Sequence, residues 1–146
     1  MPQRLFRKIL AAHDGSERAD RAFEKALALA ILAGSELHVI FVAEPPLFAA
    51  TIHGVVHFKE ATEKCYGDLG KKLQERAEKM RMTVRPHLEY GREVETIVGF
   101  AEKHDFDLLV IGPMGHFNVF KELLGNWVST AQNLARLAPC TVLMVK

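Results

Sequence analysis

Apolar residues come in short blocks whose period switches repeatedly between that of a strand and that of a helix. Lys8 to Ala12 ("KILAA") is a brief buried-type run stopped by the polar turn "HDGS", where Ser16 is placed to cap a helix. From Glu17 to Ala33, residues Ala22, Ala26, Leu29, Ala30 and Ala33 recur at helical spacing, and Gly34 supplies the stop. "ELHVIFVAE" is rich in β-branched residues and closed by Pro45-Pro46, which predicts a second strand. The segment Leu47 to Phe58 has no clear period and is assigned to a loop or helix entry. Lys59 to Arg81 reads as a charged helix with Ala61, Cys65, Leu69, Leu73 and Ala77 along its apolar face.

"TVRPHLEYG" carries Pro86, which predicts a strand near a sheet edge, ended by Gly91. Glu93 to His104 follows as a helix with Val94, Ile97, Val98 and Ala101 inward. "FDLLVIG" is a continuous apolar run of the kind found in central parallel strands. Ser129 to Leu137 makes a last helix and "CTVLMVK" a last strand. The order βαβαβαβαβ predicts an α/β fold, an open doubly wound five-stranded parallel sheet with helices on both faces, Rossmann-like in layout. Ligands in such sheets bind beyond the carboxyl ends of the strands, where strand order reverses. The ends to watch are therefore "HDGS", "FVAEPP" and "IGPMG".

Length and composition narrow the picture. A chain of 146 residues, 49% apolar and 25% charged, has the size and make-up of one globular domain spanning residues 1–146. The formal net charge is +1 and no Lys/Arg cluster stands out, so a nucleic-acid partner is not expected. Cys65 and Cys140 have neither disulfide-framework nor zinc-ribbon spacing. The basic start is too short in apolar residues for a signal peptide, and no run approaches the roughly 20 residues of a membrane helix. A cytoplasmic protein with no membrane partner is the expectation.

Gly112, Gly115 and Gly125 sit where a central strand gives way to a loop. Glycine there permits left-handed backbone angles and close approach of a ligand, and backbone N–H groups in such a turn, with a helix N-terminus behind them, form an anion site. The alternative is that the glycines only make turns.

These residues, with "RKILAAHDGSERADRAFEKALALA", "DFDLLVIG" and "LARLAPCTVLMV", resemble the universal stress protein family over nearly the whole chain. Its nucleotide-binding members carry G-x2-G-x9-G followed by Ser or Thr, and Gly112, Gly115 and Gly125 reproduce that spacing. The resemblance implies the adenine nucleotide α-hydrolase-like version of the fold and a stress-response or regulatory protein that binds ATP, with or without Mg2+. It also implies that Asp14 lies near the ribose or adenine and that Val42 meets the adenine through its backbone. For Asp14, a turn-forming or helix-capping role is the rival reading. The resemblance further implies a homodimer in which two last strands meet, and "TVLMVK" suits an exposed sheet edge. A protein partner is expected but not specified by any residue.

One departure matters. Asn126 follows Gly125 where the family has Ser or Thr, and hydroxyls arrive only at Ser129 and Thr130, so residues 126–128 ("NWV") read as a loop insertion. Inside the helix, three extra residues would rotate the stripe of Leu134 and Leu137 by about 300°. Asn126 offering its amide to a phosphate, Ser129 or Thr130 reaching the same oxygen, and Trp127 filling the pocket are the readings left open.

Other chemistry is thinner. His53 and His57 have metal-ligand spacing without acidic or thiol partners, and an apolar flap is the rival reading. His13 beside Asp14 lacks a nucleophile to activate. Lys121 and Glu122 read as solvated helix or loop charges, with approach of Lys121 to a phosphate as the alternative. With no positioned base or arginine finger in view, any hydrolysis is expected to be slow or partner-dependent. Two rivals to the nucleotide reading stand: a dimeric interaction module without nucleotide, and an adenylating enzyme, for which the Ser-Gly-Gly-type loop after the first strand is missing.

Overall fold

The computed structural model describes residues 4–45, 51–113 and 130–146. Five strands, β1 (Lys8–Ala12), β2 (Glu36–Ala43), β3 (Val84–Tyr90), β4 (Leu108–Ile111) and β5 (Thr141–Met144), form one sheet in the order β3-β2-β1-β4-β5. All four pairings are parallel. The helices are α1 (Glu17–Ala33), α2 (Ile52–Lys79), α3 (Glu93–Lys103) and α4 (Thr130–Leu137). Pro86 falls on edge strand β3, as its missing N–H requires.

Strand alternation divides the core into two layers. Ile9, Ala11, Leu37, Val39, Phe41, Leu108 and Val110 face α1 and α2, where Phe23, Ala26, Leu73 and Ala77 meet them. Leu10, Ala12, Ile40, Leu109 and Ile111 face the other way, against Ile97 and Ala101 of α3 and Ala131 and Leu134 of α4. Central strands buried on both faces explain why β1 and β4 read as continuous apolar runs. Burying one such Leu, Ile or Phe side chain contributes about 1.5–3 kcal/mol.

Three expectations need correction. Helix α2 begins at Ile52, capped by the Thr51 hydroxyl, which accepts from the Gly54 N–H at 3.1 Å, rather than at Lys59. Its first turns hide their period because Ile52, Val55 and Val56 are exposed and mark no inward stripe. Ala61 and Cys65 are also exposed. A row spaced only by four residues drifts about 40° per step, so four steps back from Ala77 turn it to the far side of the helix. The inward line runs instead through Tyr66, Leu69, Leu73 and Ala77. In α4, Leu134 is fully buried but Leu137 is 51% exposed, so the two do not share an inward stripe.

At the amino edge, the Asp107 carboxylate accepts the backbone N–H groups of Arg7 (2.8 Å) and Lys8 (2.9 Å), tying the approach to β4 to the start of β1. The β1–β4 boundary so fixed is where strand order reverses, and its opposite edge is the place to look for a site.

Candidate functional site

Because β1 pairs with both β2 and β4, three strand ends open on one edge. Ala12 lies opposite Ile40 and Ala11 opposite Val110. The strand ends that lead into Asp14, Val42 and Gly112 therefore open on the same edge of the sheet, beside the reversal of strand order. Thr130 is the first residue of α4. Gly115, Gly125, Asn126 and Ser129, together with Lys121, Glu122 and Trp127, lie outside the described residues.

The turn after β1 is held by its own side chains. Asp14 Oδ1 accepts the Ser16 N–H at 3.0 Å and the Ser16 hydroxyl at 2.6 Å, while Ser16 Oγ accepts the Ala19 N–H at 3.1 Å and caps α1. Asp14 is thus a turn former, and these bonds use one carboxylate oxygen. Gly15 has φ of 90°, a conformation that costs a residue with Cβ.

Gly112 has a different reason from the one expected. It is buried, and its φ is not in the left-handed region. A Cβ there would sit 3.0 Å from the Arg18 carbonyl oxygen and 3.2 Å from the carbonyl carbon, so what comes close is the backbone of α1's first turn. The missing side chain lets β4 end directly beneath the helix that starts after β1.

His13 is only 2% exposed. Its Nδ1 accepts the Gly15 N–H at 2.9 Å, so in the neutral ring the proton is on Nε2, which donates to Asp20 Oδ1 at 2.9 Å. Arg76 of α2 approaches Asp20 (3.6 Å) and Glu24 (3.0 Å) of α1. Sequence reasoning noticed His13 but not this task. The clue was a polar residue ending an apolar strand beside a glycine that needs positive φ.

One flank of the edge is formed by α2 and the end of β3. Tyr66 stacks on Phe41 at 5.1 Å, and Thr62 shares a 3.0 Å hydrogen bond with the Tyr90 hydroxyl. Burial pushes the Tyr66 phenol above its ordinary range, reinforced by the negative fields of Cys65, Asp14 and Glu93.

A second polar cluster, not anticipated from the sequence, lies on the α3 side of β2 and β3. Glu36 accepts from His38 Nε2 at 2.8 Å, which leaves His38 Nδ1 to accept from His87 Nε2, also at 2.8 Å. Phe106 and Phe100 pack their rings against His38 and His87 respectively. Burial pulls His87 down to about 4 and lowers His38, while the hydrogen bond from His38 lowers Glu36. The signal in the sequence was His38, an inward position in an otherwise apolar strand. His53 and His57 are exposed on α2, and among the described residues no group of three or more His, Cys, Asp or Glu is placed to hold a metal ion.

Comparison with known proteins agrees with this architecture. The sequence matches the universal stress protein family model over residues 5–146. It is 35% identical to a Thermus aquaticus protein described as the universal stress protein in the QAH/OAS sulfhydrylase 3' region, over 97% of this chain and 100% of that one. A universal stress protein of Methanocaldococcus jannaschii is 30% identical over 99% of this chain and 84% of its own. Among solved structures, UspA of Lactobacillus plantarum superposes with a TM-score of 0.81 at 23% identity, covering 96% of this chain and 97% of that one. A universal stress protein in complex with cAMP gives 0.74 at 24% identity, covering 97% of each chain. A family protein of Arabidopsis thaliana with AMP bound gives 0.66 at 13% identity, covering 96% and 91%. No described helix is long and apolar enough to cross a membrane. The chain belongs to the universal stress protein family.

Proposed function

We propose that this protein binds an adenine nucleotide, ATP in particular, at the carboxyl edge of its sheet and acts as a regulatory or stress-response protein rather than as an efficient enzyme. The observation that carries this is that the carboxyl ends of β1, β2 and β4, which lead into Asp14, Val42 and Gly112, open on one edge beside the reversal of strand order. Asp14 offers a carboxylate to a ribose hydroxyl or the adenine amine, and the end of β2 offers backbone groups to the base. The phosphates are assigned to the residues that follow Gly112 in the chain, where Gly115, Gly125, Asn126, Ser129 and Thr130 are proposed to receive them, with Mg2+ as a companion ion. Related proteins bound to cAMP and AMP support the ligand class. Titration with ATP, ADP and AMP tests this reading, which saturable binding supports and its absence sinks.

The homodimer is proposed through β5. This strand is at the sheet edge with Leu143 and Met144 exposed, and beside it lies a groove of 380 Å³ lined by Lys25, Ala28, Leu29, Leu32, Leu143 and Val145. A second copy pairing edge to edge would satisfy the outer backbone groups of β5 and cover Leu32, which is 86% exposed.

A second reading, a nucleotide-independent interaction module, draws on two observations. Gly112 is accounted for by its contact with Arg18, and Asp14 Oδ1 is engaged by Ser16. Denatured-protein mass spectrometry separates the readings by the presence or absence of co-purified nucleotide.

A further inference from the structure

We infer that His13 is a positioning residue for the nucleotide site: with Nδ1 unprotonated it holds the 13–16 turn, and through it the Asp14 carboxylate, in the shape that receives the ligand. This rests on the nucleotide reading above. Both ring nitrogens are engaged, and each partner accepts only one polarity. The Gly15 N–H needs an acceptor and Asp20 Oδ1 needs a donor, so one neutral tautomer satisfies both at 2.9 Å. The His13 backbone N–H reaches the Ile40 carbonyl at 3.0 Å, and the ring packs against Phe41 at 5.9 Å. One residue therefore joins the end of β1 to β2 and α1, and through Asp20 and Arg76 to α2.

Volume alone does not explain this choice. An apolar residue would fill the same space but leave the Gly15 N–H without its acceptor in a turn already set by positive φ. The turn would relax toward another partner, and Asp14, sitting between His13 and Gly15, would move with it. His13 touches the turn and not the ligand, so its effect is on the placement of Asp14.

Two isosteres separate its halves. In His13→Asn, Oδ1 stands where Nδ1 was and still accepts from Gly15, but the donor to Asp20 is lost. In His13→Gln, Nε2 keeps the reach to Asp20 while the acceptor for Gly15 is lost. The test combines nucleotide titration of wild type and both variants with long-range 1H–15N NMR of the wild-type imidazole. The expected results are ATP affinity within about threefold of wild type for His13→Asn, about tenfold or greater weakening for His13→Gln, and a wild-type ring protonated on Nε2 alone. Equal affinity of His13→Gln and wild type, or a proton on Nδ1, overturns the proposal. Should His13→Gln fail to fold, the tautomer and the His13→Asn affinity decide it. Wild type that binds no nucleotide while showing the Nε2–H tautomer instead overturns the nucleotide reading, and with it the role of the turn in binding.

Discussion

The Cβ that Gly112 lacks would lie 3.0 Å from the carbonyl oxygen of Arg18. That contact joins the end of β4 to the first turn of α1, the helix that follows β1 across the reversal of strand order. Gly112 therefore has a structural duty before any ligand arrives.

Gly112→Ala should accordingly destabilise the nucleotide-free protein. The obstacle is backbone and cannot swing aside as a side chain would, so a cost of about 1–3 kcal/mol is expected. Urea unfolding without nucleotide measures it. Unchanged stability with weakened ATP binding would instead assign Gly112 to the ligand.

Acid should loosen the fold through the cluster of Glu36, His38 and His87, which Lys8, Arg85 and His104 also face. In the unfolded chain His87 takes up a proton near its ordinary value of 6.5, but in the folded protein only near about 4. The unfolded state binds more protons between those values, so stability is full above 6.5 and falls as pH drops toward 4. His38 acts in the same direction, and Glu36, lowered from 4.5, adds to the loss at still lower pH. From pH 7.5 to 5 the His87 share is expected at about 1–2 kcal/mol. Thermal melts should show a shallower decline over this range for His87→Gln, which removes the titrating ring while keeping an amide at the Nε2 position. An identical decline would remove His87 from the account.

Dimerisation through β5 predicts that Leu143→Lys, placed where Leu143 is 38% exposed beside the apolar groove, converts a dimer to a monomer without unfolding it. Light scattering at micromolar concentration reads the mass. A wild-type monomer, or a variant that remains a dimer, would count against this surface.

The order of elements was legible because alternation of period is a local property. Central strands β1 and β4 are buried on both faces and show it as unbroken apolar runs, and Glu17–Ala33 shows it as an Ala-rich stripe ended by Gly34. The start of α2 was not legible, since Ile52, Val55 and Val56 are apolar yet exposed, and periodicity reports only residues that face a core. The strand ends "HDGS", "FVAEPP" and "IGPMG" could be nominated from the pattern, while Asp14 and Val42 within them came from the family resemblance. The contact of Gly112 with Arg18, and the bond from His87 to His38, depend on packing between segments distant in the chain. Gly115, Gly125, Asn126 and Ser129 lie outside the described residues, so the "NWV" question passes to binding experiments.

Equilibrium calorimetry of the purified protein, stripped of nucleotide and titrated with ATP, ADP and AMP, is the most direct measurement. Saturable binding of ATP, with Kd at or below about 1 mM and weakened by Asp14→Ala, is the predicted result. Absence of saturation at millimolar concentrations of all three nucleotides would contradict it.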